Sequence, residues 1–247
     1  MRKYGLIGYP LGHSFSKKYF SEKFEKEGID DAVYDNYPLQ DIQDFEPLYK
    51  GDPELKGLNV TIPHKEAVIP YMDVLSEDAR NIGAVNTICL CTKTGRLVIV
   101  GHNTDTKGFR LSLEENLTEV PQQALVLGTG GSSKAVVYVL ERMDIKVIRV
   151  SSSGKEDAIS YDDLTDKLVK KSKLIVNTTP LGMHPNENTL PNIPYDSLTT
   201  DHLLFDLVYN PVVTRFMQEG RNRGASAVNG YQMLVYQAEG AWEIWNR

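Results

Sequence analysis

Cysteine is nearly missing from the chain: two residues, Cys89 and Cys91, in a length of 247. They stand at i and i+2, so on a strand they share one face, and a reduced, half-buried pair is expected rather than a disulfide. A structural zinc site takes about four ligands. No second Cys/His pair lies at suitable spacing and the five histidines are scattered, so no metal is expected. Basic charge is also in deficit, with 27 Lys and Arg against 33 Asp and Glu. That balance argues against a nucleic-acid partner, which needs a basic face to displace counterions from phosphates. Blocks of like charge are absent; "SEKFEKEG" mixes signs and reads as a solvated helix face. No apolar run approaches the ~20 residues of a membrane helix, and "MRKYGLIGYP" does not have the form of a signal peptide. Together these absences predict a cytoplasmic protein without a membrane partner.

What is present is ordinary globular composition, 41% apolar and 24% charged, enough to bury a real core. Short apolar strands alternate with helical patterns in the first half. "KYGLIGYP", "AVYDNYPL" and "LKGLNVTIP" read as strands. Residues 16–27, "LQDIQDFEPLYKG", "HKEAVIPYM" and "SEDARNIGA" read as helices. "AVNTICLC-TKTG-RLVIVG" has the form of a hairpin, and "DTKGFRLSLEENL" is a helix that links the first half to the second. From Val120 the pattern restarts with "QALVLG", a helix through Met143, "KVIRV", a helix near 161–171, "KLIVNTTP" and "HLLFDLVY". The long apolar helix "NGYQMLVYQAEGAWEIWNR" closes the chain. Such alternation indicates βαβ units and a mostly parallel sheet covered on both faces. An α/β protein of two lobes is therefore expected, with a Rossmann-like second lobe.

The stretch "LVLGTGGSSKAV" breaks an apolar strand into small residues and resumes as an amphipathic helix. In a dinucleotide turn the first glycine permits the bend and the second lets backbone approach a pyrophosphate, at which the helix points its free N–H groups. Gly128 and Gly130 take those places, with Thr129, Gly131 and Ser132 keeping the loop small. A P-loop is excluded because Lys134 lacks a preceding glycine and a following Ser/Thr. The tip of the next strand selects the nucleotide. An NAD site usually carries Asp or Glu there. Here stand Ser151, Ser152, Ser153 and, after Gly154, Lys155, three hydroxyls and a cation suited to a 2′-phosphate, which favours NADP.

Taken with "PLGHSFS", "LNVTIPHK", "GAVNTI", "GHNTDTKGF", "NTTPLGM", "DLVYNP" and "NGYQMLVYQA", this loop gives the chain a close, end-to-end resemblance to the shikimate dehydrogenase family. The resemblance implies a two-lobed enzyme that reversibly reduces 3-dehydroshikimate to shikimate with NADPH, a step toward the aromatic amino acids. It assigns residues 1–104 and 229–247 to the substrate and 105–228 to the cofactor, and leaves monomer or homodimer open. It makes Lys65 and Asp105 an acid/base dyad. By resemblance Ser14 and Ser16 hold the substrate carboxylate, while Asn59, Thr61 and Asn86 serve ring hydroxyls. Gln237 on the final helix also faces the substrate. Its amide, sharing a face with Met233, Leu234, Ala238 and Ala241, must find partners or cost roughly 1–3 kcal/mol. Tyr209 is assigned to the substrate as well, and Leu207 and Gly230 match positions lining the nicotinamide side.

Four departures from the family's pattern stand out. Lys17 replaces a Pro, Phe20 a His and Thr106 a Gly, and Ser151-Ser152-Ser153 replaces Asn-Arg-Thr. The lost Arg was a bidentate phosphate clamp, for which Lys155 substitutes only a point charge, so NAD use is a companion expectation to NADP. Two rival readings are carried: a relative acting on quinate or an amino analogue, and a non-catalytic nucleotide-binding homologue.

Overall fold

In the computed structural model, which describes residues 1–12, 15–93, 95–152, 154 and 157–247, the chain divides into two units. One is Met1–Lys107 with Val235–Arg247, the other Gly108–Leu234.

The first unit contains β1 (Arg2–Gly8), α1 (Phe15–Glu27), β2 (Ala32–Pro38), α2 (Phe45–Gly51), β3 (Leu55–Val60), α3 (His64–Ala67), β4 (Val74–Leu75), α4 (Glu77–Ile82), β5 (Thr87–Lys93) and β6 (Arg96–His102). Its strands form one six-stranded sheet in the order β2-β1-β3-β5-β6-β4. The β5–β6 hairpin makes this sheet mixed rather than parallel throughout, because β5 pairs antiparallel with both β3 and β6. One apolar cluster, with Phe45, Leu58, Val68, Val85 and Ile88, covers one face. The other holds Tyr4, Phe20, Phe24, Tyr34, Ala241 and Trp245, the last two from the C-terminal helix, Tyr231–Trp245. Gly57 leaves room for that helix: a Cβ there would lie 2.1 Å from Trp245 Nε1, whose N–H donates to the Ile88 carbonyl at 2.9 Å.

The second unit begins within α5 (Asp105–Glu114) and continues through β7 (Gln123–Leu127), α6 (Gly131–Arg142), β8 (Lys146–Val150), α7 (Asp166–Lys171), β9 (Leu174–Asn177), β10 (Leu203–Asp206), α8 (Arg215–Arg221) and β11 (Ser226–Val228) into α9, the C-terminal helix. Its sheet, ordered β11-β10-β9-β7-β8, is parallel at every pairing. The strands are near-continuous apolar runs, as expected of a sheet buried on both faces. Clusters around Phe109, Val136 and Phe205 and around Leu125, Ile175 and Phe216 cover the two sides.

Several sequence expectations are revised. Cys89 and Cys91 are joined as a disulfide rather than reduced, their Cα atoms 5.7 Å apart on β5, within the span a disulfide bridges. The helix expected over "LQDIQDFEPLYKG" is a 3₁₀ turn, Ile42–Asp44, followed by α2. The helix near 161–171 is likewise divided, because Thr165 caps α7 and starts it afresh. The short β4, α8 and β11 were not anticipated.

Candidate active site

Three segments meet at one edge of the first sheet. β3 ends there and leads to α3; β5, being antiparallel, starts there; β6 returns there and leads to α5. The register aligns Asn59 with Thr87 and Thr87 with His102. The residues just beyond this line, Lys65, Asn86 and Asp105, are thereby brought together.

Lys65 Nζ donates to Asp105 Oδ2 at 2.6 Å, with the two side chains only 14% and 7% exposed. Asn86 Nδ2 donates to Asp105 Oδ1 at 2.8 Å and to Gln237 Oε1 at 3.0 Å. The other end of the Asn86 amide accepts from the Thr104 backbone N–H at 2.7 Å and from the hydroxyls of Thr87 and Thr104. A backbone N–H can only donate, so this bond decides which way the amide faces. The carboxylate is held at both oxygens by side chains instead of capping its helix. Its own N–H donates to Asn103 Oδ1 at 3.1 Å. The turn that carries Lys65 is anchored by buried His64, whose Nε2 donates to the Leu39 carbonyl at 2.7 Å.

The remaining expected substrate residues divide. Ser14 lies outside the described residues. Ser16 is buried on α1. Burial pushes the Tyr34 phenol up, and a hydrogen bond with Ser16 opposes that shift. Tyr34 donates to Asn59 Oδ1 at 2.8 Å, and Asn59 Nδ2 donates to Thr87 Oγ1 at 3.2 Å. Asn59, expected to face a ring hydroxyl, thus has both ends of its amide engaged inside the unit. The Thr61 hydroxyl makes no hydrogen bond among the described residues and stays available to a ligand. Tyr209 belongs to the second unit, where burial raises its phenol.

In the second unit, β7 has β8 on one side and β9 on the other. The strand order reverses there, and such a switch point is where open α/β sheets bind ligands. Gly128 ends β7 with φ at +104°, and a Cβ on it would stand 2.7 Å from Thr178 Oγ1. Ser133 Oγ ties the turn by donating to the Gly128 carbonyl at 2.8 Å. Gly130 precedes α6 without a capping side chain, and a Cβ there would meet nothing within 4 Å. This is an open, uncapped start to a 12-residue helix. The first backbone N–H groups of any helix have no partner within it, and those of Gly131 and Ser132 suit a dinucleotide pyrophosphate. Leu207 and Gly230 are in contact, since a Cβ on Gly230 would lie 2.2 Å from the Leu207 carbonyl oxygen. At the tip of β8, Ser151 is buried and Ser152 exposed; Ser153 and Lys155 lie outside the described residues. Among the described residues no group of three or more His, Cys, Asp or Glu could hold a metal ion, and no helix is long and apolar enough to cross a membrane.

Sequence reasoning passed over Thr87, Thr104 and Tyr34, whose hydroxyls hold the amides of Asn86 and Asn59. It also passed over Asp206, the buried carboxyl at the end of β10. A carboxylate inside the apolar run "LLFDLV" was the available signal.

Residues 6–88 match the family model described as the shikimate dehydrogenase substrate binding domain. The shikimate dehydrogenase (NADP(+)) of Carboxydothermus hydrogenoformans is 38% identical over 259 aligned residues, which cover 98% of this chain and 90% of the relative. A crystal structure of a shikimate dehydrogenase in complex with NADP+ matches with a TM-score of 0.87 at 32% identity, covering 99% of this chain and 89% of the other. A shikimate 5-dehydrogenase from Thermus thermophilus, in complex with NADP(H) and shikimate, matches with a TM-score of 0.86 at 27% identity, over 99% and 93% of the two chains.

Proposed function

The chain belongs to the shikimate dehydrogenase family, and from that membership we infer how its residues divide the work of an NADP-dependent oxidoreductase. It reversibly reduces 3-dehydroshikimate to shikimate, a step toward chorismate and the aromatic amino acids. When bound, NADPH supplies the hydride that the carbonyl carbon receives. The observation that carries the assignment is the largely buried Lys65–Asp105 pair, held from its far side by Asn86.

Lys65 is the proton donor. An ammonium has three N–H bonds, one of them spent on Asp105 Oδ2, and another is free to meet the substrate oxygen. As negative charge develops there, a proton moves from Nζ to that oxygen. In the oxidative direction the same nitrogen takes the hydroxyl proton. Asp105 holds Nζ in place and presents its carboxylate edge to a neighbouring ring hydroxyl. Gln237 accepts from Asn86 through Oε1, which leaves its Nε2 donors for a second hydroxyl. Thr61, Ser16 and Ser14 add short hydroxyl groups for the remaining hydroxyl and the carboxylate, with Asn59 bracing Ser16 through Tyr34 and Asn86 through Thr87. Tyr209 is included as a further substrate contact.

For the cofactor, the Gly128–Ser132 turn receives the pyrophosphate, Leu207 and Gly230 border the nicotinamide, and Ser151, Ser152, Ser153 and Lys155 receive the 2′-phosphate. We place the enzyme in the cytoplasm. A two-by-two assay tests the function, with shikimate or quinate as substrate and NADP+ or NAD+ as acceptor. Shikimate with NADP+ is expected to give the highest kcat/KM. A higher value with quinate would overturn the substrate assignment, and a higher one with NAD+ the role of the serine loop.

A further inference from the structure

At the C-terminal edge of the second sheet one buried carboxyl joins two loops that follow separate strands. Asp206 is fully buried at the end of β10. Its Oδ1 accepts from Asn177 Nδ2 at 2.9 Å and from the Val208 backbone N–H at 3.0 Å. Its Oδ2 accepts from Thr214 Oγ1 at 2.6 Å, the residue that caps α8. From Asn177 the contacts run on, since its Oδ1 accepts from both the N–H and the hydroxyl of Thr179. Next to it, Thr178 donates twice to the Leu127 carbonyl and stands against the bare Cα of Gly128. From Val208 the contacts run the other way, through its carbonyl to the Gly230 N–H at 3.2 Å and through Leu207 to the same glycine.

We propose that Asp206 is a positioning residue for the dinucleotide: by accepting from Asn177, Val208 and Thr214 together, it sets the loops after β9 and β10 so that Gly128, Leu207 and Gly230 stand at the spacing the cofactor needs. This rests on the reading of the Gly128 turn as the NADP site.

Three donors converge on the group, an arrangement suited to a carboxylate. A protonated acid would have to turn one oxygen into a donor, and only the Thr214 hydroxyl could accept it, while that oxygen already receives the Met217 N–H. Burial nonetheless pushes the Asp206 carboxyl up to about 6, against the opposing hydrogen bonds of Thr214, Val208 and Asn177. Holding a charge at such a position is unfavourable for stability, and perturbed carboxyls of this kind concentrate at functional sites. The groups touching it from β9, the loop after β10 and the start of α8 are neutral. Tyr195, which feels its charge, is kept protonated mainly by burial. Farther along α8, Glu219 is paired with Arg223.

The test is a titration of NADPH by its fluorescence, with the intact chain, between about pH 5 and 8. It compares native protein, Asp206→Asn and Thr214→Val, with circular dichroism to confirm that each is folded. At the alkaline end Asp206→Asn is expected to bind NADPH about tenfold more weakly, with the KM for shikimate within about twofold of native. The native advantage disappears as pH falls through about 6, where the carboxyl gains its proton. Thr214→Val, which removes a bond favouring the charged form, moves that midpoint to higher pH. Equal NADPH affinity in folded native and Asp206→Asn proteins, or a difference that does not change with pH, overturns the proposal. If Asp206→Asn does not fold, an unshifted midpoint in Thr214→Val does so. Failure of the native protein itself to bind NADPH overturns the cofactor site along with the proposal.

Discussion

Asn86 and Gln237, 151 positions apart in the chain, share a hydrogen bond of 3.0 Å, with the asparagine amide donating to the glutamine oxygen. The bond draws α9 back to the sheet edge that carries Lys65 and Asp105. It also orients Gln237, leaving Nε2 for a ligand. Replacing Gln237 with Ala removes a ligand donor and leaves one Asn86 N–H without its acceptor. At roughly 1–3 kcal/mol for an unsatisfied buried group, the KM for shikimate is expected to rise between about fivefold and a hundredfold. The KM for NADP+ changes little. Steady-state kinetics with each substrate varied in turn will separate the two.

The Gly128 turn makes a reciprocal prediction. Ala at this position introduces a Cβ 2.7 Å from Thr178 Oγ1 at a backbone angle, φ +104°, that side chains rarely adopt. Strain of this kind costs about 1–3 kcal/mol, so NADPH affinity is expected to fall roughly tenfold or more. Fluorescence titration measures it, and unchanged affinity would exclude the turn from the cofactor site.

Gly57→Ala addresses the fold. The added Cβ would collide with Trp245 Nε1 and break its bond to Ile88. Overpacking and a lost hydrogen bond together predict a loss of roughly 2–4 kcal/mol, read as a lower urea midpoint.

The titration of Asp206 also enters stability. Its folded-state value is raised to about 6 from 3.8, so between those limits the native state binds more protons than the unfolded chain. Stability therefore falls as pH rises across that window, by on the order of 3 kcal/mol. His202 acts in the opposite sense. Burial lowers its value, so the unfolded state binds the extra proton and stability is lost as pH falls below the unfolded value near 6.5. Asp206→Asn isolates the first effect. The difference between native and variant unfolding free energies should slope across about pH 4 to 6 and be flat above.

The glycine turn was legible because it is local: strand, small residues and helix succeed one another in twelve letters. The acid/base constellation was not legible from periodicity. Lys65, Asn86, Asp105 and Gln237 meet only because β5 runs antiparallel to β3 and α9 returns to the first unit, facts that no short window holds. Ordered motifs matched to a family supplied what spacing could not. Asp206 was invisible for a related reason. Its three partners come from β9, the loop after its own strand and the cap of α8, and α8 was itself missed although Thr214 and Gly224 bracket it. The disulfide of Cys89 and Cys91 was misjudged because a shared face was taken as a sign of packing and not of reach.

The central claim is that Lys65 transfers the proton. The direct measurement is shikimate oxidation followed at the nicotinamide absorbance band, with native protein and Lys65→Ala compared at saturating NADP+, alongside equilibrium binding of shikimate. A general acid contributes about 10²–10⁴-fold, so kcat is expected to fall by that factor while shikimate affinity stays within several-fold of native. Equal turnover in the two proteins would contradict the account.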